Sequence, residues 1–250
     1  VPTSYMAIQS KYDFVGGYEA DVQGGLLHVA DHHVSPGKKQ WTWGNGDFGK
    51  AWDRNLTDED GPYIELMTGM YTDNQPDFSW LQPYEEKSWV QYFMPYSEVG
   101  YVKNATKDVL LNVELKEDNA HLILYTTGVN KDVHLLAKDI QGKILLDKII
   151  QISPADPFTV TFPATGLKEE DIRIEIRDCE GKVMLTYQAD KPEIKPMPDP
   201  AKAAKDPKDI ASIEQLFLTG LHLEQYRHAT YNPMDYYQEA LRREPGNVRC

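Results

Sequence analysis

The sequence predicts a mainly β protein closed by a C-terminal α-helical hairpin, and three observations carry that prediction. Apolar residues alternate with polar ones through the middle of the chain, glycine pairs interrupt short apolar runs before it, and a helical period appears only after residue 210. The 250 residues are 41% hydrophobic, enough for one large or several small cores.

Residues 1–105 hold most of the aromatics and repeated breaks at Gly16-Gly17, Gly24-Gly25 and Gly44-Asn45-Gly46. Short apolar runs at 25–30, 63–67 and 88–93 read as strands separated by long loops, among them an acidic loop around 53–61. Over 106–190 the period of two is clean. It runs through Val109, Leu111, Val113 and Leu115, then Leu122 and Leu124, Val133 and Leu135, Ile172, Ile174 and Ile176, and Val183, Leu185 and Tyr187. Seven short strands with a hairpin turn at 178–181 predict an antiparallel sandwich of immunoglobulin-like or fibronectin-like form with a structural role. Residues 191–210, rich in proline and lysine, predict an extended linker or strap. In 211–250 one helical stripe is Ile213, Leu216, Phe217, Gly220 and Leu221, and a second is Met234, Tyr237 and Leu241. Asn232-Pro233 supplies an N-cap and an N1 proline, and Pro245-Gly246-Asn247 a stop.

Charge narrows the partners. Lys and Arg number 26 against 39 Asp and Glu, a net charge of −13, which argues against nucleic acid because a duplex must be met by cations. No run of 18 apolar residues exists, so no membrane span is expected, and the start has no basic-then-apolar signal pattern. The chain does not begin with Met, so a piece of a longer protein is expected. Two cysteines, Cys179 and Cys250, give neither a disulfide framework nor a metal spacing and favour a reducing, cytoplasmic setting.

The most informative feature is the placement of tryptophan. Trp41, Trp43, Trp52, Trp80 and Trp89 all fall within 49 residues, alongside Glu65. Indoles pair wide apolar faces with one N–H donor, which suits the C–H face and polar rim of a sugar, although any one ring could equally fill a core. Asp47, Asp53 and Arg54 lie between tryptophans, where they can grip hydroxyls or form a salt-bridged surface loop. His28, Asp31, His32 and His33 form a second group. In an extended segment His28 and His32 share one face, and Asp31 and His33 the other. Their spacing matches no zinc motif, and the calcium-like run from Asp53 lacks the required Gly and Glu, so neither metal nor cofactor is expected. The acceptor patterns at Asn55 and Asn104 are common by chance and carry nothing without a secretory context.

Two resemblances follow. The stretches His28 to Gly44, Gly61 to Gly69 and Leu81 to Glu85 resemble an uncharacterised bacterial family in which a galactose-mutarotase-like supersandwich precedes tetratricopeptide repeats. That resemblance implies part of a supersandwich in residues 1–105. It also implies a catalytic base at Glu65, with Thr68 after it and Leu81, Pro83 and Glu85 in the following turn, while the partner acid would lie upstream. The C-terminal pair resembles one tetratricopeptide repeat through Tyr237, Ala240, Leu241 and Pro245, with Gly220 as the small residue of the first helix. It departs by one residue in the loop, by Phe217 where Trp is usual, and by Pro233 near a usual alanine. One repeat cannot bury its own face, so further repeats and a protein partner are implied.

The expected function is therefore carbohydrate recognition by His28, Asp31, His32, Trp41, Trp43, Asp47, Trp52, Asp53 and Arg54. Aldose epimerase or glycosidase-like catalysis through Glu65 is the enzymatic version of it. The alternative is a non-catalytic protein-interaction scaffold acting through the repeats.

Overall fold

The computed structural model describes residues 2–7, 10–72, 79, 81–191, 193, 202–226 and 230–250. Trp80 and residues 192 and 194–201 of the expected linker lie outside the described residues. The chain forms two compact units, Val1–Thr72 with Lys87–Glu193, and Asp73–Glu86 with Ile194–Cys250. No helix among the described residues is long and apolar enough to cross a membrane.

The strands of the first unit are β1 (Thr3–Ala7), β2 (Phe14–Glu19), β3 (Gly24–Val29), β4 (Lys38–Thr42), β5 (Ile64–Met67), β6 (Tyr92–Ser97) and β7 (Asn104–Ala105). They continue as β8 (Val109–Lys116), β9 (Asn119–Thr126), β10 (Asn130–Asp139), β11 (Ile144–Ile152), β12 (Phe158–Pro163), β13 (Ile172–Arg177) and β14 (Val183–Tyr187). Among the described residues one α-helix, α1 (Asp47–Leu56), and one 3₁₀ turn, Glu169–Asp171, interrupt them. All pairing is antiparallel, in sheets ordered β1-β4-β5, β2-β3-β6, β12-β9-β8-β7 and β11-β10-β13-β14.

The last two sheets enclose one core. Val109, Leu111, Val113, Leu122, Leu124, Val133, Leu135, Ile172, Ile174, Ile176, Leu185 and Tyr187 are all buried in it, the alternation read from the sequence. A period of two sends every second side chain between the sheets, which is why this immunoglobulin-like sandwich is legible. The hairpin at 178–181 forms as expected, with Asp178 N–H donating to the Lys182 carbonyl at 3.0 Å and Gly181 at φ 81°. Val183 departs from its expected place. A bulge between Ile176 and Arg177 shifts the β13–β14 register, and Val183 is left exposed. The described strand at the end of the aromatic region runs 92–97, later than the expected 88–93.

β8 is buried on both faces, which alternation alone does not reveal. Its outward Leu110 joins Leu27, Val29, Met94, Tyr96, Val99 and Ala105 in a second core, and Ile123 and Tyr125 of β9 pack against it. Asn112 on the same face is buried and its amide nitrogen donates to the Val99 carbonyl at 2.8 Å, while its Oδ1 is buried with no hydrogen-bond partner among the described residues. The β2-β3-β6 sheet thus lies on the sandwich. Burial pushes the Tyr96 phenol up to about 12, and its hydroxyl donates to the Gly100 carbonyl at 3.1 Å.

In the second unit α2 (Ile213–Tyr226) and α3 (Pro233–Arg243) form the expected helical pair. The Asn232 side chain accepts from Met234 N–H at 3.1 Å with Pro233 at the first helical position, as its sequence signal implied. The face of α3 turned to the core is centred on Tyr236 and Ala240; of the expected Met234, Tyr237 and Leu241, the last two are part-buried, the Tyr237 ring lying at Gly220 of α2. Tyr236 and Ala240 are buried with Leu216, Leu223 and Ile210, while Met234 is half-exposed. The reason is an anchor before the helices. Tyr236 donates to the Lys205 carbonyl at 2.8 Å, and Arg243 donates to the Ile210 carbonyl at 2.6 Å, fixing the rotation of α3. Arg242 and Arg243 together hold the Glu239 carboxyl down to about 2. Gly220 is required by packing: a Cβ there would lie 2.6 Å from the Tyr237 ring. Residues 207–209 of the expected linker form a 3₁₀ turn capped by Asp206.

Candidate functional site

α1 lies where the sequence predicts a loop, and this corrects the reading of Asp47, Trp52, Asp53 and Arg54 as loop residues. Phe48, Ala51 and Trp52 recur at helical spacing on one side, while Asp47 in the first turn and Arg54 in the last complement the helix dipole. Asp47 and Arg54 stand about 10 Å apart along the axis at 1.5 Å per residue, too far for one clamp. Asp53 is a tie. Its Oδ1 accepts the Tyr63 N–H at 3.0 Å, and the Thr57 hydroxyl donates to the Asp53 and Gly61 carbonyls at 3.0 Å each. These bonds fix the helix to the segment entering β5.

Trp52 of α1 stacks on Trp43 at 4.9 Å between centroids and 23° between planes, and Phe48 meets Trp52 edge-on at 6.2 Å. The helix approaches so closely because residue 49 is glycine; a Cβ there would sit 1.9 Å from the Gly44 carbonyl oxygen. Phe48 was missed as a site residue, though its spacing to Trp52 was visible. It is 56% exposed, the most open ring of the three-ring stack.

Trp41 and Glu65 are brought together by register. They are direct partners across β4 and β5, so their side chains leave the same face of the sheet. The opposite face carries Leu66 and Gln40, and Leu66 Cδ1 lies 3.8 Å from where a Cβ of Gly17 on β2 would stand. Thr68 just beyond Glu65 accepts from the Gln91 side chain at 3.5 Å. The indole N–H groups of Trp41 and Trp43 are buried and have no hydrogen-bond acceptor among the described residues.

The histidine group divides. β3 ends at Val29 and the chain turns at once, so His28 and His32 do not share a face of one extended segment. His28 is buried against Phe93 at 5.4 Å, with neither ring nitrogen bonded among the described residues. Burial first, and the nearby Lys38 cation second, lower its pKa below 6.5 and keep it neutral. Lys38 is itself buried, donating to the Tyr12 carbonyl and to Ser10 Oγ at 3.3 Å. A consequence is testable. An unfolded histidine takes up a proton near pH 6.5 and the folded His28 only below that, so stability falls as pH drops from 6.5 through the folded value. Melts of the wild type and His28→Leu at pH 7.5, 6.5 and 5.5 are expected to diverge, the variant losing less on acidification. Parallel profiles would contradict the buried neutral ring.

Asp31, His32 and His33 occupy the turn after β3. The Asp31 carbonyl accepts from Val34 and Ser35 N–H at 3.1 and 2.8 Å, and its Oδ1 accepts from His33 N–H at 2.9 Å. Asp13 and Asp31 also line a cleft of about 440 Å³ walled by Trp89, Val90 and Tyr92. Among the described residues, no hydrogen bond or ring contact links this group to Trp41, Trp43, Trp52 or Glu65. The candidate residues therefore form two clusters, one on the turn and one on the β4-β5 face with α1. The turn at Leu81 to Glu85 closes through Gln82 N–H donating to Glu85 Oε2 at 2.8 Å and belongs to the second unit.

Comparison with protein families gives two matches. Residues 2–96 match a domain of unknown function (DUF5107). Residues 104–187 match the second domain of YphG-like proteins, the segment that folds as β7 to β14. The Trp41–Glu65 face and the Asp31–His33 turn both fall within the first.

Proposed function

We propose that the first of these segments recognises carbohydrate on the β4-β5 face, with Trp41 and Trp43 covering the C–H face of a sugar and Glu65 binding its hydroxyls. The observation that carries the reading is the cross-strand pairing of Trp41 with Glu65 beside the Trp43–Trp52 stack. Aromatic faces next to a carboxylate are the chemistry a pyranose requires, because a sugar presents apolar C–H and polar O–H surfaces together. The orphaned indole N–H groups support it, since a buried donor without an acceptor is costly and a ligand hydroxyl would satisfy it. In the finer version of the reading, residues 1–105 are part of a mutarotase-like supersandwich and Glu65 is a general base taking the anomeric hydroxyl proton in an epimerase or glycosidase-like reaction. The helical pair is then one tetratricopeptide-like repeat, its Gly220–Tyr237 packing being the close helix approach such a repeat needs.

Ligand-observed NMR against monosaccharides and short oligosaccharides tests both levels. Sugar binding is expected, weakened about tenfold in Trp43→Ala, as loss of about 1.4 kcal/mol of ring contact implies. Anomer exchange or bond cleavage that disappears in Glu65→Gln makes Glu65 a base. Binding without turnover leaves a recognition module, and no binding to any sugar transfers the function to the helical pair as a protein-interaction scaffold.

A further inference from the structure

The turn after β3 holds two imidazoles in one tautomer. A carboxylate accepts hydrogen bonds and does not donate them, so a neutral ring facing one must carry its proton on that side. Asp13 Oδ1 lies 2.7 Å from His32 Nδ1, and Asp31 Oδ1 lies 2.9 Å from His33 Nδ1. Both rings therefore present the lone pair of Nε2. That is the arrangement in which a histidine binds a metal, its far nitrogen free and its near N–H anchored to a carboxylate.

The backbone is fixed as well. Asp13 Oδ1 also accepts the His32 N–H at 2.9 Å, so one carboxylate orients both the main chain and the ring of His32. The two ring centroids stand 3.9 Å apart, and one ligating atom from each of Asp31, His32 and His33 lies within 4.8 Å of the others. Asp31 spends Oδ1 on His33, while Oδ2 takes no hydrogen bond among the described residues.

We infer that Asp31, His32 and His33 form a binding site for one borderline divalent cation of the Zn²⁺ type, with Asp13 as the positioning residue for His32. Zn–N and Zn–O bonds of about 2.0–2.2 Å place tetrahedral ligands roughly 3.5 Å apart. Side-chain rotation closes the remaining gap: His33 and Asp31, both largely exposed, exchange their mutual 2.9 Å contact for bonds to the ion, because a carboxylate on Nδ1 does not reach an ion on Nε2 of the same ring. Nitrogen donors exclude Mg²⁺ and Ca²⁺, which take oxygen ligands. Three protein ligands leave a coordination position for water or an external ligand beside the cleft that Asp13 and Asp31 line. This inference is independent of the sugar reading, which rests on the β4-β5 face.

Equilibrium dialysis of the EDTA-treated chain against Zn²⁺, with metal counted by mass spectrometry, tests it. Co²⁺ loading followed by its visible d–d bands reports the coordination. One Zn²⁺ per chain is expected, lost in the His32→Ala/His33→Ala double variant and weakened roughly 10- to 100-fold in Asp13→Asn. Because His33 is exposed, the single variant His33→Ala keeps its melting temperature in EDTA while losing the Co²⁺ bands, which separates ligand loss from misfolding. Less than one Zn²⁺ at saturation, or binding unchanged in the double variant, overturns the assignment.

Discussion

Gly49→Ala is expected to dismantle the aromatic cluster and destabilise the first unit, even though alanine is the better helix former. Within a helix interior, alanine exceeds glycine by about 1 kcal/mol, and on that ground alone the substitution would stabilise α1. Geometry reverses the sign. The new Cβ would lie 1.9 Å from the Gly44 carbonyl oxygen and 2.7 Å from that of Trp43, and both neighbours are backbone, which cannot rotate aside. The helix must lift by an ångström or more. Overpacking of this kind costs about 1–3 kcal/mol, and a contact against main chain falls at the upper end. Lifting α1 also separates Trp52 from Trp43, now stacked at 4.9 Å. The near-ultraviolet circular dichroism of the coupled indoles is expected to collapse and sugar binding to weaken with it. A variant whose indole signal persists, with stability equal to or above the wild type, would show that α1 does not seat against the Gly44 turn.

The sandwich was legible because its residues answer to one rule. Core and solvent lie on opposite faces of each strand, so Val109 to Val113 and Ile172 to Ile176 announce themselves by alternation. The rule fails where another element intervenes. Leu110 and Asn112 occupy outward positions and are buried, because β3, distant in sequence, and β6, just before β8, bring a second core to that face. Val183 obeys the alternation in sequence and breaks it in space, since the bulge sets it out of register with Leu185 and Tyr187, which keep their buried places.

The clusters were legible as composition and illegible as geometry. Nothing local says that Trp41 stands opposite Glu65; the register follows from how β4 and β5 close around α1, across more than twenty residues. α1 itself was concealed by Gly49, a residue that argues against a helix until the Gly44 carbonyl behind it is seen. In the histidine group the residue types were right and the face was wrong. Asp13, eighteen residues before Asp31, is what turns His32 aside from the line of the strand, and its role had no signal in the local pattern.

Leu135→Ala is expected to produce a large loss of stability in the sandwich. Leu135 is fully buried on β10, a strand bonded on both sides, opposite Lys148 of β11 and Ile176 of β13. Deleting a buried leucine side chain costs the transfer free energy of its carbons plus the cavity left behind, about 2–5 kcal/mol. Collapse of the cavity would lower that figure, but the neighbours are set by two ladders and cannot close in without breaking register. A value near 4 kcal/mol follows, or a fall in melting temperature on the order of 10 °C for a unit of this size. Val129→Ala is the control. It removes a similar apolar group from a position 74% exposed and is expected to change stability by less than about 0.5 kcal/mol. Equal effects from the two substitutions would mean that Leu135 does not occupy the core between the sheets. Loss at Leu135 alone ties the stability of the β2-β3-β6 sheet to the sandwich, because Leu111 and Leu110 alternate along β8 between the two cores. The β3 turn rests on that sheet, so Zn²⁺ affinity is expected to hold in Leu135→Ala up to the melting transition and vanish through it.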